Sequence, residues 1–201
     1  MPKITFFNLP ENKRQTLINE ARREFSRAPL YEASIANIIK GAGIPRGSFY
    51  QYFDDKEDIY FFILGEYAKE KRIQFLQILK SYNGDLERTF LHFYNDLIKE
   101  EENYSFLRNA LLNMTYETKK IFERMICSKE INEKSIEFIS SIDQTKLNVT
   151  NSKELFHAIR LLMGITIHNL IHAYALKLSY EEATEIYRLE MNLLKQGLFN
   201  S

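Results

Sequence analysis

Apolar residues recur along most of this chain at spacings of three and four, and the strict alternation of a half-buried strand is hard to find. In residues 10–27, for example, Leu17, Ala21 and Phe25 repeat at every fourth position. Only 7 glycines and 4 prolines interrupt the pattern in 201 residues. The pattern therefore predicts an all-α protein.

Two helices are predicted before residue 44. The first runs over about residues 10–27, with Asn8 as its cap. The second is short and begins after Ser34, whose hydroxyl is expected to accept a hydrogen bond from a free backbone N–H. Gly41 and Gly43 then end this second helix.

A third short helix is opened by Pro45, with Phe49 and Phe53 one turn apart and facing inward. Two short helices joined by a tight glycine-containing turn, with a longer helix before them, predict a helix-turn-helix unit.

The rest of the chain also has helical periodicity. Predicted helices lie at 57–81, 85 to about 102, 104–114, 118 to about 142 as one long or two broken helices, 153–178 and 180–199. Residues 143–152 are the clearest predicted loop. Ser179 and Glu182 have the spacing of a capping box at the start of the last helix.

Charge is unevenly distributed, although 27 basic and 27 acidic side chains give a formal net charge of zero. Residues 1–53 hold eight basic and four acidic side chains, which leaves a surplus of four positive charges there and four negative charges elsewhere. Because a basic region attracts polyanions, the N-terminal part is the expected nucleic-acid-binding part.

The single cysteine, Cys127, excludes an internal disulfide and fits a reducing cytoplasm. The longest unbroken apolar run, residues 161–167, is much shorter than the roughly 20 residues that span a bilayer. The first residues have no apolar core of signal-peptide length. These observations predict a cytoplasmic protein with no transmembrane helix and no membrane partner.

A continuous signature spans the second and third helices. It reads Ser34-Ile35-x-x-Ile38-Ile39-x-x-Ala42-Gly43-Ile44-x-Arg46-Gly47-Ser48-Phe49-Tyr50-x-Tyr52-Phe53-x-x-Lys56-Glu57-Asp58. This run resembles the DNA-binding signature of the TetR/AcrR family of bacterial transcriptional regulators. The resemblance covers about residues 9–58, whereas the remainder matches only in being helical and of suitable length.

The resemblance implies two domains. Residues 1–56 are expected to form a three-helix helix-turn-helix DNA-binding domain, and residues 57–201 a larger helical domain for effector binding and dimerisation. The resemblance also implies a homodimer that binds a palindromic double-stranded DNA operator and a small-molecule effector. No cofactor is indicated.

A recognition helix places its N-terminal residues near base edges in the major groove. The candidate DNA-contacting residues are Ser34, Pro45, Arg46, Gly47, Ser48, Tyr50, Gln51 and Lys56. Arg46 and Gln51 carry groups suited to guanine and adenine edges, whereas Ser48 and Tyr50 can donate to phosphates. Lys56 resembles the lysine with which the family holds a phosphate at the start of the next helix.

Two positions depart from the family pattern. Pro45 stands where relatives usually carry serine or another capping residue, and Ala36 stands where many carry a basic or polar side chain. Fewer DNA contacts are therefore expected from the second helix. For the aromatic cluster, core packing is the alternative: it is expected for Phe53, is as plausible as DNA contact for Tyr52, and is the minor alternative for Tyr50.

The helix predicted at 153–178 is apolar on more than one side. Leu155, Ile159, Leu162 and Leu170 are expected to face the domain interior. A second stripe is formed by Leu161, Gly164, Ile165 and His168. This stripe predicts a four-helix bundle between two copies, with a buried helix in a monomer as the alternative.

No metal site is predicted. His168 and His172 have the spacing that can place two imidazoles on one metal, but no Asp or Glu lies between them or just beyond them. Cys127 is interpreted as a small packed hydrophobic residue, with a redox sensor as the alternative. The sequence has no glycine-rich phosphate loop and no nucleophile elbow, so an enzyme is not expected.

Together these features predict a ligand-responsive transcriptional repressor that a small apolar or aromatic effector releases from DNA. The candidate effector-contacting residues are Tyr67, Phe106, Asn113, Phe122 and His168. The alternative is an all-helical enzyme or lipid carrier whose helix-turn-helix pattern arose by chance.

Overall fold

The computed structural model describes the backbone of residues 1–99, 101–126 and 138–198. Within these ranges the chain forms α-helices, one 3-10 turn and no β-strand, which confirms the predicted all-α class. The helices are α1 (Ile4–Phe7), α2 (Glu11–Arg27), α3 (Ile35–Ala42), α4 (Arg46–Tyr52), α5 (Lys56–Ser81), α6 (Leu86–Lys99), α7 (Glu101–Leu112), α8 (Tyr116–Ile126), α9 (Ser152–Leu176) and α10 (Tyr180–Leu198).

The chain divides into two compact units. The first comprises residues 1–67 and 102–118, and the second comprises residues 68–101 and 119–201. The domain boundary after residue 56 stays a prediction.

The first unit is built on an aromatic core. The rings of Phe25 and Tyr60 meet edge to face at 5.0 Å, and Phe49 and Phe53 are both fully buried, as predicted. Asn109, on α7, donates from its side-chain amide to the carbonyl oxygens of Phe25 and Ser26, at 2.9 and 3.0 Å. Because these carbonyls lie in the last turn of α2, the amide satisfies acceptors that the helix end leaves unpaired.

Helix α1 was not predicted. Asn8 ends this short helix, and the residue that precedes α2 is Pro10, so the prediction that Asn8 caps the following helix was wrong. A four-residue helix is too short to show a period in the sequence. Its position depends on Phe6, which is fully buried.

The second unit contains a stacked pair of tyrosines. Tyr94 and Tyr187 lie with their ring centroids 4.0 Å apart, and the hydroxyl of Tyr187 is 2.8 Å from that of Thr166. Burial raises the pKa of both tyrosine hydroxyls, so they remain neutral hydrogen-bonding groups in this core. Asn169 donates to Glu190 at 2.7 Å, which joins α9 to α10 a second time.

Most predicted helices of the second half are confirmed to within a few residues. Asp85 caps α6 by accepting from the backbone of Arg88 at 3.1 Å. The capping box is also present, because Ser179 donates its N–H to Glu182 and accepts from the backbone of Glu182. The prediction of one long or two broken helices up to residue 142, and that of a packed or redox-active Cys127, fall partly or wholly outside the described residues.

By length and composition, α9 is the one helix among the described residues that is apolar enough to cross a membrane. The expectation of no such helix was based on the longest uninterrupted apolar run. Helix α9 meets the weaker criterion of an 18-residue stretch that is apolar on average and holds at most two charged side chains. Ten residues of α9 are buried in the protein, including the hydrogen-bonded Thr166 and Asn169. A core helix of a soluble protein has the same composition, so this feature alone is weak grounds for a membrane span.

Candidate nucleic-acid interface

The turn between α3 and α4 is fixed by local backbone geometry. Gly43 ends α3 in the left-handed conformation, with a φ of 65°, and the N–H of Ile44 bonds back to the carbonyl of Ile39 at 3.1 Å. Pro45 follows in an extended conformation and precedes α4 directly. The chain thus leaves α3 and enters α4 over three residues, and α4 is a separate short helix.

One side of α4 is exposed. Phe49 is fully buried, whereas Arg46, Gly47, Tyr50 and Gln51 are exposed. The Arg46 guanidinium lies 6.0 Å from the centroid of the Tyr50 ring. Of the other sequence-predicted positions here, Pro45 is exposed and Ser48 is half-buried. The helix therefore offers a cation, an amide and a phenol on one surface.

The start of α3 is held differently from the prediction. The side chain of Ser34 makes no capping hydrogen bond. Its backbone N–H instead donates to the carboxylate of Glu24 on α2, at 2.8 Å. In a capping box, a side chain from the first turn of the same helix accepts from the N–H of the capping residue. Here Glu24 of α2 accepts from the N–H of Ser34 instead.

Glu24 is a buried carboxylate, only 5% exposed. It accepts two hydrogen bonds from Arg27, at 2.8 and 2.7 Å, and others from Ser34 and from the side-chain amide of Asn37. These hydrogen bonds, led by those from Arg27, lower the pKa of Glu24 to about 2 although burial opposes the shift. Sequence reasoning missed this residue; its one signal was a carboxylate beside Phe25 on the buried side of α2.

Lys56 also makes contacts that were not predicted. Its ammonium group donates to the carbonyl oxygens of Tyr31 and Ala33, at 2.9 and 3.2 Å. These carbonyls belong to the loop that leads into α3, so Lys56 ties the start of α5 to that loop. A contact between Lys56 and a phosphate stays a prediction.

Two family models match the chain. Residues 17–61 match the model described as bacterial regulatory proteins of the tetR family, and residues 85–198 match the model described as a tetracyclin repressor-like C-terminal domain. The second match alone covers more than half of the chain. This chain belongs to the TetR family. Regulators of this family are soluble DNA-binding proteins and typically have no enzymatic activity.

Individual relatives agree with the TetR assignment. The HTH-type transcriptional regulator HbdR of Aromatoleum sp. (strain CIB) is 38% identical over 61 residues, which are 30% of this chain and 27% of HbdR. The match thus spans about a quarter of the length of HbdR.

Solved TetR-family structures have the same fold. A regulator from Syntrophomonas wolfei superposes with a TM-score of 0.65 at 20% identity, over 93% of this chain and 96% of that one. SmeT, the repressor of the Stenotrophomonas maltophilia efflux pump SmeDEF, gives 0.63 at 16% identity, over 94% and 91%.

The predicted effector-contacting residues fall in both units. In the first unit, the buried rings of Tyr67 and Phe106 meet edge to face at 6.2 Å, and exposed Asn113 donates to the carbonyl of Asn109. Phe122, which is buried, and His168, which is exposed, belong to the second unit. That all five line one pocket stays a prediction.

A surface groove of about 590 Å³ lies elsewhere in the second unit. It is lined by Asn148, Val149 and Asn151 and by residues in the first turns of α9, which include His157 and Leu161. No residue of the predicted effector set lines it.

The second apolar stripe of α9 lies on the surface of the single chain. Leu161 is 59% exposed, Gly164 and His168 are exposed, and Ile165 is half-buried. On α10, Leu193 is 71% exposed. The four residues predicted to face the interior are buried: Leu155, Ile159, Leu162 and Leu170. The two helices therefore leave apolar side chains in water unless a partner covers them.

The histidines of α9 do not form a larger cluster. The rings of His168 and His172 are parallel, with centroids 6.3 Å apart. Among the residues that the structure describes, no group of three or more His, Cys, Asp or Glu side chains is close enough to hold a metal ion.

Proposed function

We propose that this TetR-family regulator is a repressor that reads its operator with the exposed side of α4. Arg46 and Gln51 contact base edges in the major groove, and Ser48 and Tyr50 donate to phosphates. Gly47 and Pro45 carry no long side chain, so the backbone at the start of α4 approaches the duplex closely. The observation that carries this proposal is the joint exposure of Arg46, Tyr50 and Gln51 on a helix whose other side is buried.

Electrostatics support the same surface. The surplus of four positive charges lies in residues 1–53, which include α2 and its exposed Lys13 and Arg23. Each phosphate that a lysine or arginine neutralises releases bound counterions, so operator affinity falls steeply with salt.

The functional unit is proposed to be a homodimer formed through α9 and α10. The exposed Leu161, Gly164, Leu189 and Leu193 are apolar or small, and two copies of these helices can cover them in a four-helix bundle. A two-fold dimer presents two copies of α4 and requires two inverted half-sites at a fixed separation, about one helical turn of DNA apart.

The effector is proposed to be a small apolar or aromatic molecule that binds the larger helical domain. It releases DNA by favouring the conformation in which the two copies of α4 do not match the operator. Helix α5 is the proposed coupling element, because it runs uninterrupted from Lys56, which holds the loop before α3, to Ser81. The coupling is reciprocal, so operator DNA must weaken effector binding by the same factor.

The experiment that tests this function is selection of bound duplexes from a random DNA pool, followed by titration of the selected duplex at rising salt. We expect an inverted repeat whose affinity falls steeply with salt, in a cytoplasmic regulator with no enzymatic activity. A protein that binds no duplex in a salt-sensitive way would instead fit an all-helical enzyme or lipid carrier.

A further inference from the structure

Helix α4 has only seven residues, and its last turn leaves carbonyl groups without helical partners. The N–H of Phe53 bonds to the carbonyl of Phe49, which closes the helical ladder. The carbonyls of Tyr50, Gln51 and Tyr52 come after that point and have no partner within α4. Two of these residues, Tyr50 and Gln51, are proposed to contact DNA.

All three carbonyls accept hydrogen bonds from the first residues of the chain. The backbone N–H of Lys3 donates to Tyr52 at 2.8 Å, and its ammonium group donates to Tyr50 at 2.9 Å. The hydroxyl of Thr5 donates to the carbonyl of Gln51. Each of the three carbonyls that α4 leaves unpaired therefore has a hydrogen-bond donor from residues 3–5.

The segment that supplies these donors, residues 1–9, is called the N-terminal arm below. It is anchored by Phe6, which is fully buried, with its ring 4.9 Å from Phe53 and 5.3 Å from Phe62. An ion pair of 2.6 Å between Lys3 and Asp54 fixes it again, just beyond the end of α4. The arm precedes residues 17–61, the range matched by the family's DNA-binding model.

We propose that Lys3 and Thr5 are positioning residues for DNA reading, a role that depends on the function proposed above. They keep the last turn of α4 ordered in the DNA-free protein, so that Tyr50 and Gln51 are already in place when the helix meets the major groove. A helix of seven residues is marginal in water by itself. Without the arm, ordering this turn becomes a cost of binding and lowers the apparent affinity.

Thr5→Val is the sharpest test, since it removes one hydroxyl donor, changes no charge and nearly keeps the shape of the side chain. We expect operator affinity to fall by up to about tenfold, the effect of one lost hydrogen bond. The slope of affinity against salt should stay that of the wild type, because no charge is removed. Fluorescence anisotropy with a labelled operator at four or five salt concentrations measures both quantities.

Two matched variants serve as controls. Thr16→Val removes a hydroxyl that bonds only within α2, to the carbonyl of Asn12 at 2.8 Å, and should bind operator like the wild type. Thr5→Ser keeps the donor and should restore wild-type affinity. Loss of affinity in Thr5→Val without faster amide hydrogen exchange in the last turn of α4 would overturn the proposal, because it would show that the hydroxyl contacts the duplex directly.

A second measurement needs no DNA. Amide hydrogen exchange at Tyr52 and Phe53, whose N–H groups bond within α4, should be several-fold faster in Thr5→Val than in the wild type or Thr16→Val. Unchanged exchange together with unchanged affinity overturns the proposal. A wild-type protein that binds no duplex overturns the proposed function instead, and the exchange rates alone then decide whether the arm orders α4.

Discussion

Helices α4 and α9 each bury one side and expose the other, but the two exposed sides differ in chemistry. On α4 the exposed residues include Arg46, Tyr50 and Gln51, which can all form hydrogen bonds. On α9 the exposed residues include Leu161 and Leu176, which cannot, beside the polar Arg160 and His168.

The difference indicates how long each surface is expected to stay uncovered. A polar side is well hydrated when free, so α4 suits a partner that binds and leaves, such as an operator. Exposing an apolar side to water is unfavourable. Helix α9 therefore suits a partner that stays attached, such as a second copy of the chain. Substitutions on the exposed side of α4 should therefore change DNA binding, and substitutions on the exposed stripe of α9 should change dimerisation.

The largest effect is expected from Gly164→Glu on the exposed stripe of α9. A Cβ atom added at this glycine would meet no atom within 4 Å in the single chain, so each protomer should still fold. In the proposed dimer the new carboxylate is buried without a partner, which costs about 3–5 kcal/mol and should give monomers. Light scattering measures the mass.

Ser152→Glu is the matched control for this prediction. It places the same charge at the exposed first residue of α9 and should leave the dimer intact. If Gly164→Glu stays dimeric, the interface is not on this stripe of α9.

Arg46→Ala should have the next largest effect, and this effect should be on DNA recognition rather than on dimerisation. Loss of a base contact costs about 1–3 kcal/mol and relaxes discrimination at one base pair, with the dimer unchanged. Arg23→Ala, which removes an equal charge from the exposed face of α2, should instead weaken all sequences about equally. Binding to a set of single-base operator variants compares the two, and the reverse pattern would show that their roles are exchanged.

The sequence was enough to predict the elements of this comparison but not the contacts that hold them. The inward positions of Phe49 and Phe53 follow from spacings within one helix, and so do the two apolar stripes of α9. The bond between Thr5 and Gln51 joins residues 46 positions apart, and that between Lys56 and Tyr31 joins residues 25 apart. Periodicity contains no information about such pairs, since it describes one element at a time.

The same reason explains why the hydrogen bond from Ser34 to Glu24 was not predicted from the sequence. A serine before a helix is a good local cap, and the sequence therefore predicted that its hydroxyl accepts from a backbone N–H. In the folded chain, a carboxylate ten residues earlier accepts from Ser34 instead. The predicted effector residues follow from the family resemblance rather than from a local pattern, and they fall in both units.

Glu24→Gln should destabilise the first unit at neutral pH by about 2 kcal/mol, because the variant loses charge-assisted hydrogen bonds in a buried position. Glu24 has a lowered pKa of about 2 in the folded state, so its stabilising effect is present above its ordinary value near 4.5. It is lost as the pH falls from about 4.5 towards 2. The difference in unfolding free energy between wild type and variant should therefore narrow over this range.

Urea unfolding at several pH values measures that difference. Glu20→Gln, one turn earlier on α2, tests whether removal of any carboxylate from this helix has the same effect at neutral pH. A wild-type and a Glu24→Gln protein of equal stability at pH 7 would contradict the role of this carboxylate in holding the start of α3.

The smallest effect is expected from Tyr50→Phe, which separates the two parts of an exposed side chain on α4. The hydroxyl is proposed to donate to a phosphate, and one such hydrogen bond contributes about 0.5–1.5 kcal/mol, or roughly a two- to tenfold change in affinity. The ring, which lies 6.0 Å from the Arg46 guanidinium, is kept, so base discrimination by Arg46 should persist. Affinity should thus fall by a similar factor on every operator variant, with the salt slope unchanged because no charge is removed. If Tyr50→Phe binds like the wild type while Tyr50→Ala loses discrimination at the Arg46 base pair, the ring acts by orienting the guanidinium and the hydroxyl has no phosphate contact.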